Sequence, residues 1–289
     1  MVFSPVLPIV EDEFMVNHAR ASSIFIFLSA GYGIAVLISG FFSGRFGYKK
    51  TIVSSLLFLS LVNFSIPFMY NFLLLYLFAF LLGFSVGLYL PSAIPLMTEY
   101  YAEKNWGKAI AIHDTGASSA IFATPFVVLF LLSFFQWRGI FVVYAFFFLV
   151  CAVIFFSVST EVKISNPPRA TFNDIIKRRS LWLMAIIWIF GAGANLGIYA
   201  ITPLYLTKEL KMGIGYANTI LGISRLGSVG VAVACGFLID KFNLRYVMLV
   251  MMVITSFFTI LMGVVGVKYI GFVLFFQALF VTGFFPVGL

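Results

Sequence analysis

Arg225 stands in GISRLGSVG, well inside the apolar run 213–238. A charge at membrane depth costs about 2.5–3.5 kcal/mol on insertion scales, so it is retained where it faces an interior. It shares helical spacing with Gly215, Asn218, Gly222, Ser228 and Ala232, a stripe of small and polar residues expected to point away from lipid. A guanidinium there can grip a carboxylate or similar planar anion through two parallel hydrogen bonds. The alternative is a structural arginine paired with a carboxylate or with helix-end carbonyls.

A second candidate stretch is GAGANLGIYAITPLY, 191–205. Its glycines and Pro203 weaken a regular helix. Broken backbone at membrane depth is tolerated where it lines a cavity. Asn195 and Tyr199 lie one turn apart there and could hydrogen-bond a ligand, and Tyr89 in GLYLP is of the same kind. Alternatively the glycines serve only close helix packing. His113 and Asp114 lie roughly 10 Å inside the run that starts at Gly107, at 1.5 Å per residue. Such a pair could couple to protons, because histidine titrates near neutrality and burial raises a carboxyl. It could equally be a hydrogen-bonding pair that packs helices. No Ser/His/Asp or metal-ligand spacing accompanies these residues, so neither an enzyme nor a metal or cofactor is expected.

The elements that carry these residues follow from composition. The chain is 62% hydrophobic, 19% aromatic and only 10% charged, against roughly a quarter charged in soluble domains. Apolar runs long enough to cross hydrocarbon must be helices, because lipid offers no partner for free backbone groups. Nine such spans are expected, near 21–43, 51–69, 72–97, 107–133, 138–158, 181–206, 213–238, 246–266 and 269–289. The segment 159–180, STEVKISNPPRATFNDIIKRRS, is polar and reads as a linker between 1–158 and 181–289.

Placing the loop 44–50 in the cytoplasm leaves only Arg20, Arg138, Lys208, Lys211 and Lys268 on the opposite side, with Arg225 alone inside a span. Topology therefore explains the net charge of +8. The charges sit at helix ends and form no patch, which argues against nucleic acid and for the phosphates of membrane lipids as neighbours. Cys151 and Cys235 fall within spans and read as packing residues. Glu11-Asp12-Glu13 stands where a signal-peptidase site would need small residues, so no cleavable signal is expected.

The chain also repeats itself. GFFSGRFGYKK (40–50) recurs as GFLIDKFNLRY (236–246), an offset of 196 positions. At that offset Gly31 meets Gly227, Gly40 meets Gly236, Phe41 meets Phe237, Arg45 meets Lys241 and Lys49 meets Arg245. Phe84 meets Phe280 and Gly87 meets Gly283. Self-similarity over several helices indicates duplication, and parallel helical repeats are a transporter architecture.

The two phrases resemble the signature loop G-x-x-x-D-[RK]-x-G-x-[RK]-[RK] of the major facilitator superfamily. LLGFSVGLYLPSAIPLMTEYYAEKNWGKAIAIHDTGAS resembles that family's fourth and fifth helices. The resemblance implies an all-α membrane protein with two pseudo-symmetric halves: 1–158, holding the end of the first helix and helices two to six, and 181–289, holding helices seven to ten. About nine of twelve helices would then be present. It implies a gating role for Gly40, Arg45, Gly47, Lys49 and Lys50, and for Gly236, Asp240, Lys241 and Arg245. Gly44 stands where the first copy's aspartate would be.

The function implied is secondary active transport, as symporter or antiporter, by a monomer in the cell membrane. A small organic anion on Arg225, with Asn195, Tyr199 and Tyr89, is the leading substrate, and protons on His113 and Asp114 could drive it. Proton-driven efflux of a neutral or lipophilic compound is one alternative. A non-transporting remnant or sensor is another.

Overall fold

The computed structural model describes residues 2–161, 177–227, 231 and 242–288. Among these residues there is no strand. The helices are α1 (Phe3–Phe14), α2 (Ile24–Phe46, preceded by a helical turn at His18–Ser22), α3 (Tyr48–Ser65), α4 (Phe72–Gly87), α5 (Leu90–Tyr100), α6 (Trp106–Leu132) and α7 (Trp137–Val158). They continue as α8 (Arg179–Ala192), α9 (Ile198–Leu204), α10 (Ile214–Ser224), α11 (Leu244–Met262) and α12 (Val267–Gly288). Among the described residues, seven helical stretches are long and apolar enough to cross a membrane: His18–Phe46, Tyr48–Phe68, Phe72–Tyr100, Glu103–Leu132, Trp137–Val158, Trp182–Glu209 and Arg245–Met262. Each overlaps an expected span. Large apolar side chains such as Leu37, Phe41, Phe147 and Phe190 are exposed, as lipid-facing helices require.

The described helices form two compact units, each made of segments that are not contiguous in sequence. One comprises Ile9–Asp114 and Leu131–Pro168. Here α2 and α4 touch backbone to backbone. A Cβ added to Gly83 would lie 1.8 Å from the Leu28 carbonyl oxygen, and one added to Gly31 would lie 2.0 Å from that of Phe80. Small residues allow this approach, which lipid alone would not drive. Ile52 of α3 packs with Ala93 and Leu96 of α5 in a second contact zone.

The loop GRFGYKK is built around Gly47, whose φ of +87° suits glycine. Its N–H bonds the Ser43 carbonyl, ending α2, and its own carbonyl receives the Thr51 hydroxyl, starting α3. Lys49 Nζ then reaches the Ser159 carbonyl at the end of α7 and sits 4.8 Å from the Phe156 ring centroid. Lys50 pairs with Glu161 at 3.2 Å. Lys49 thus meets the negative end of α7, while the Lys50 pair is exposed and lies just beyond it. Arg45 lies over the Phe46 ring. Gly40 and Gly44 border open space.

At the opposite end of the same helices, Glu13 accepts hydrogen bonds from Trp137 Nε1 and Arg138 Nη1. Arg138 also donates to the Met69 carbonyl and lies over the Phe14, Tyr70 and Trp137 rings. Burial raises the Glu13 carboxyl, but the two hydrogen bonds and the arginine charge outweigh it and hold the carboxyl below its ordinary value of 4.5. A depressed carboxyl stabilises the folded state above its unfolded value, and that contribution is lost as pH falls through the folded value. The expected result is a fall in melting temperature as pH drops below about 4.5 that is smaller in Glu13→Gln by roughly 1–3 °C. Differential scanning fluorimetry at graded pH checks it.

The other unit comprises Met1–Pro8, Thr115–Phe130 and Arg169–Leu289. Its apolar core gathers Leu206, Met212, Ala217, Met262, Ile270, Val273 and Leu274. Gly222 of α10 lies against Phe126 of α6, close enough that a Cβ would fall 2.4 Å from the ring.

Candidate functional site

Sequence spacing places Arg225 within an unbroken helix over 213–238. In the structure α10 ends at Ser224, Arg225 occupies a one-residue turn with φ −90° and ψ −5°, and helical backbone resumes at Leu226 and Gly227. The Ser224 hydroxyl bonds the Leu221 carbonyl, and the Arg225 N–H bonds the Gly222 carbonyl three residues back. These short-range bonds compete with the regular ladder. The inward stripe holds for Asn218, Gly222 and Arg225, which are buried, but Gly215 is exposed. Ser228, Ala232, Cys235 and the second signature copy at Gly236, Asp240 and Lys241 lie outside the described residues. Arg245, which is described, is exposed in the first turn of α11.

The Arg225 side chain is 3% exposed. Its Nη1 donates to Asn195 Oδ1 at 2.5 Å and its Nη2 to the Asn195 carbonyl at 3.3 Å. Its guanidinium carbon lies 5.0 Å from the centroid of the Tyr199 ring. Nε has no partner, and no carboxylate pairs with Arg225 among the described residues. Three residues singled out by sequence are therefore brought together.

The backbone explains how. Gly193–Gly197 forms a π-helical turn between α8 and α9. Such a turn loosens the carbonyl ladder and is common at functional positions. The Asn195 carbonyl is taken by Arg225, and the Ala194 carbonyl by Gln277 Nε2 of α12 at 2.8 Å.

Two prolines add to this. A proline cannot donate to the carbonyl four residues back, so Pro203 orphans the carbonyl of Tyr199, and Pro125 that of Ile121. The Ser4 hydroxyl donates to the first at 2.8 Å, and the Tyr199 hydroxyl donates to the second at 3.1 Å. Tyr199 is thus held at both ends, fully buried, and offers its ring to Arg225. Asn218 Nδ2 donates to the Pro5 carbonyl at 3.1 Å.

Sequence inspection missed Gln277. It is an uncharged residue in FFQAL, and only its isolation in an apolar run marks it. The partnership of each proline with the residue four positions earlier was also legible and passed over.

The remaining candidates meet in the first unit described. Tyr89 Oη lies 3.1 Å from His113 Nε2, with the rings stacked at 5.8 Å, and His113 Nδ1 lies 3.0 Å from Asp114 Oδ1. The imidazole thus bridges a phenol and a carboxylate. The His113 side chain is 21% exposed and that of Asp114 54%, so Asp114 is not a buried packing residue. Tyr89, His113 and Lys108 line a cavity of about 480 Å³ with Ala93, Leu96 and Tyr100. Tyr89 is the N-cap of α5, in the break at Leu88–Tyr89 between α4 and α5, two residues before Pro91.

Helices of this length and hydropathy, with a buried cation beside a broken helix, define a polytopic membrane protein. The Major Facilitator Superfamily model matches residues 1–289, and the chain belongs to that family. It is similar to a TsgA homolog of Buchnera aphidicola subsp. Schizaphis graminum (strain Sg), 22% identical over 241 residues. The match takes in 82% of this chain, which spans 61% of that relative's length. Among solved structures, a bacterial homolog of the human lysosomal transporter Spinster, in an inward-facing and occupied conformation, matches with a TM-score of 0.77 and 14% identity, over 99% of this chain and 69% of that one. A D-xylose–proton symporter matches with a TM-score of 0.69 and 15% identity, over 99% and 76%. These likenesses show the fold.

Proposed function

We propose that the chain serves secondary active transport of a small organic anion by alternating access, with Arg225 as the anion anchor. The observation that carries this reading is the environment of Arg225. Its guanidinium is 3% exposed, and its neighbours are a neutral amide and an aromatic ring. A buried cation held only by neutral groups is costly, and an incoming carboxylate offsets that cost. Asn195 and Tyr199 fix the guanidinium plane, which favours two-point recognition. His113 and Asp114 form the proton-coupling pair, consistent with the proton symport named for one structural neighbour, and Tyr89, expected from sequence to bind substrate, is read with them because its hydroxyl meets the imidazole. The family's signature loop, here Gly40, Arg45, Gly47, Lys49 and Lys50, acts in gating, and the protein works as a monomer in the cell membrane among its lipids.

Counterflow in proteoliposomes tests the reading. A labelled short-chain carboxylate should exchange saturably and accumulate faster under an inward proton gradient. Exchange confined to uncharged compounds would instead support proton-driven export of a neutral solute, and no exchange of any compound would support a non-transporting role.

A further inference from the structure

The second unit holds two carboxamides whose orientation is fixed and whose oxygens have no donor. Gln277 is fully buried on α12, and its Nε2 is committed to the Ala194 carbonyl. Asn218 is fully buried on α10, and its Nδ2 is committed to the Pro5 carbonyl. A carbonyl can accept only from the amide nitrogen, so neither side chain can be turned over without losing its bond. Gln277 Oε1 and Asn218 Oδ1 are thereby acceptors, and each is buried without a partner among the described residues.

Both belong to one polar seam. Gln277 and Arg225 bind adjacent residues of the π-helical turn, Ala194 and Asn195. Asn218 binds Pro5, next to Ser4, whose hydroxyl holds Tyr199 under the guanidinium. The seam thus offers a cation with an unpartnered Nε and two unpartnered acceptors. A buried acceptor left without a donor costs about 1–3 kcal/mol, so two that are joined to Arg225 through Ala194–Asn195 and through Ser4–Pro5 call for donors on the ligand.

We infer that Gln277 and Asn218 set substrate specificity, and that the substrate carries hydroxyl or amino donors beside its anionic group: a hydroxy, polyhydroxy or amino acid rather than a plain carboxylate. This rests on Arg225 as the anion anchor. Sites that hydrogen-bond a ligand hydroxyl reject analogues lacking it far more strongly than apolar pockets sort by size.

Matched ligand triads test this by thermal shift and by isothermal titration on the purified chain: propionate, lactate and propane-1,2-diol; hexanoate, gluconate and sorbitol. In each triad one member is anionic only, one anionic and hydroxylated, and one hydroxylated only. In at least one triad the hydroxylated acid should bind about tenfold or more tightly than the plain acid. That ratio should collapse toward one in Gln277→Met or Asn218→Leu, and reading a ratio keeps the outcome independent of general destabilisation by either variant.

Equal binding of plain and hydroxylated acids, both lost in Arg225→Met, would overturn this inference and leave the anion reading standing. So would a hydroxyl preference unchanged in both carboxamide variants, which would mean that water alone satisfies the two oxygens. Binding of the polyol as tightly as the acid, unaffected by Arg225→Met, would overturn the anion reading instead and leave the carboxamides as acceptors for a neutral substrate. Absence of binding in both triads would overturn both.

Discussion

Arg225→Met is expected to abolish anion binding while leaving the melting temperature unchanged or slightly raised. Methionine keeps much of the volume beside Tyr199 and removes the charge. Loss of one partner from a desolvated, hydrogen-bonded charge pair costs about 2–5 kcal/mol, so affinity for a carboxylate should fall roughly thirtyfold to several thousandfold. The fold loses only the bonds to Asn195 and the ring contact, and gains relief from burying a cation held by neutral groups. Replacing buried ionic groups with apolar ones of similar volume is often neutral or stabilising. Arg225→Lys should recover part of the binding, since it restores the charge without the planar fork. Parallel titration and melting of the three proteins separate the roles. A lowered melting temperature with carboxylate affinity intact would make Arg225 a structural residue and remove the support for an anionic substrate.

Gly83→Val is expected to prevent productive folding. The first side-chain atom would fall 1.8 Å from the Leu28 carbonyl oxygen, and that atom is backbone, so no rotamer change relieves it. Helices α2 and α4 must separate along their length, which also opens the contacts at Gly31 and Gly87. Overpacking costs about 1–3 kcal/mol where side chains can adjust, and more where two backbones are forced apart. Gly33→Ala on the same α2 is the control: nothing lies within 4 Å, and alanine should stabilise by about 0.5–1 kcal/mol. Gly227→Ala should be intermediate, because its Cβ would meet the Leu279 Cδ1 at 2.6 Å, the movable end of a side chain. The yield of monodisperse protein in size-exclusion chromatography reads all three. Wild-type yield for Gly83→Val would show that the α2–α4 contact is looser than described.

The contrast between Gly31 and Gly227 marks how far a repeat predicts structure. The two align at the 196-residue offset, yet one meets backbone and the other a leucine tip. Duplication preserves the identity of a position, while the clearance around it depends on the facing helix, which has diverged. The glycine-rich segment behaved likewise. GAGANLG announced a weak helix, and it is a π-helical turn. Nothing in those letters shows that Arg225 and Gln277 take up its carbonyls.

What the sequence by itself determined is what lipid and water dictate one residue at a time. Apolar runs of spanning length became helices. Gly47 broke α2 from α3. Arg225 was marked as interior because a guanidinium in an apolar run has few other places to go. Tertiary structure alone decided the partnerships: Arg225 on Asn195 and Tyr199, Ser4 on the carbonyl orphaned by Pro203, Tyr199 on the one orphaned by Pro125, His113 on Tyr89. It also ended α10 at Ser224, where spacing suggested a continuous helix. The physical reason is range. Hydropathy and proline chemistry act within about one helical turn, so the chain shows which groups will lack partners. The partner comes from a segment distant in sequence, and only packing brings it within hydrogen-bond reach.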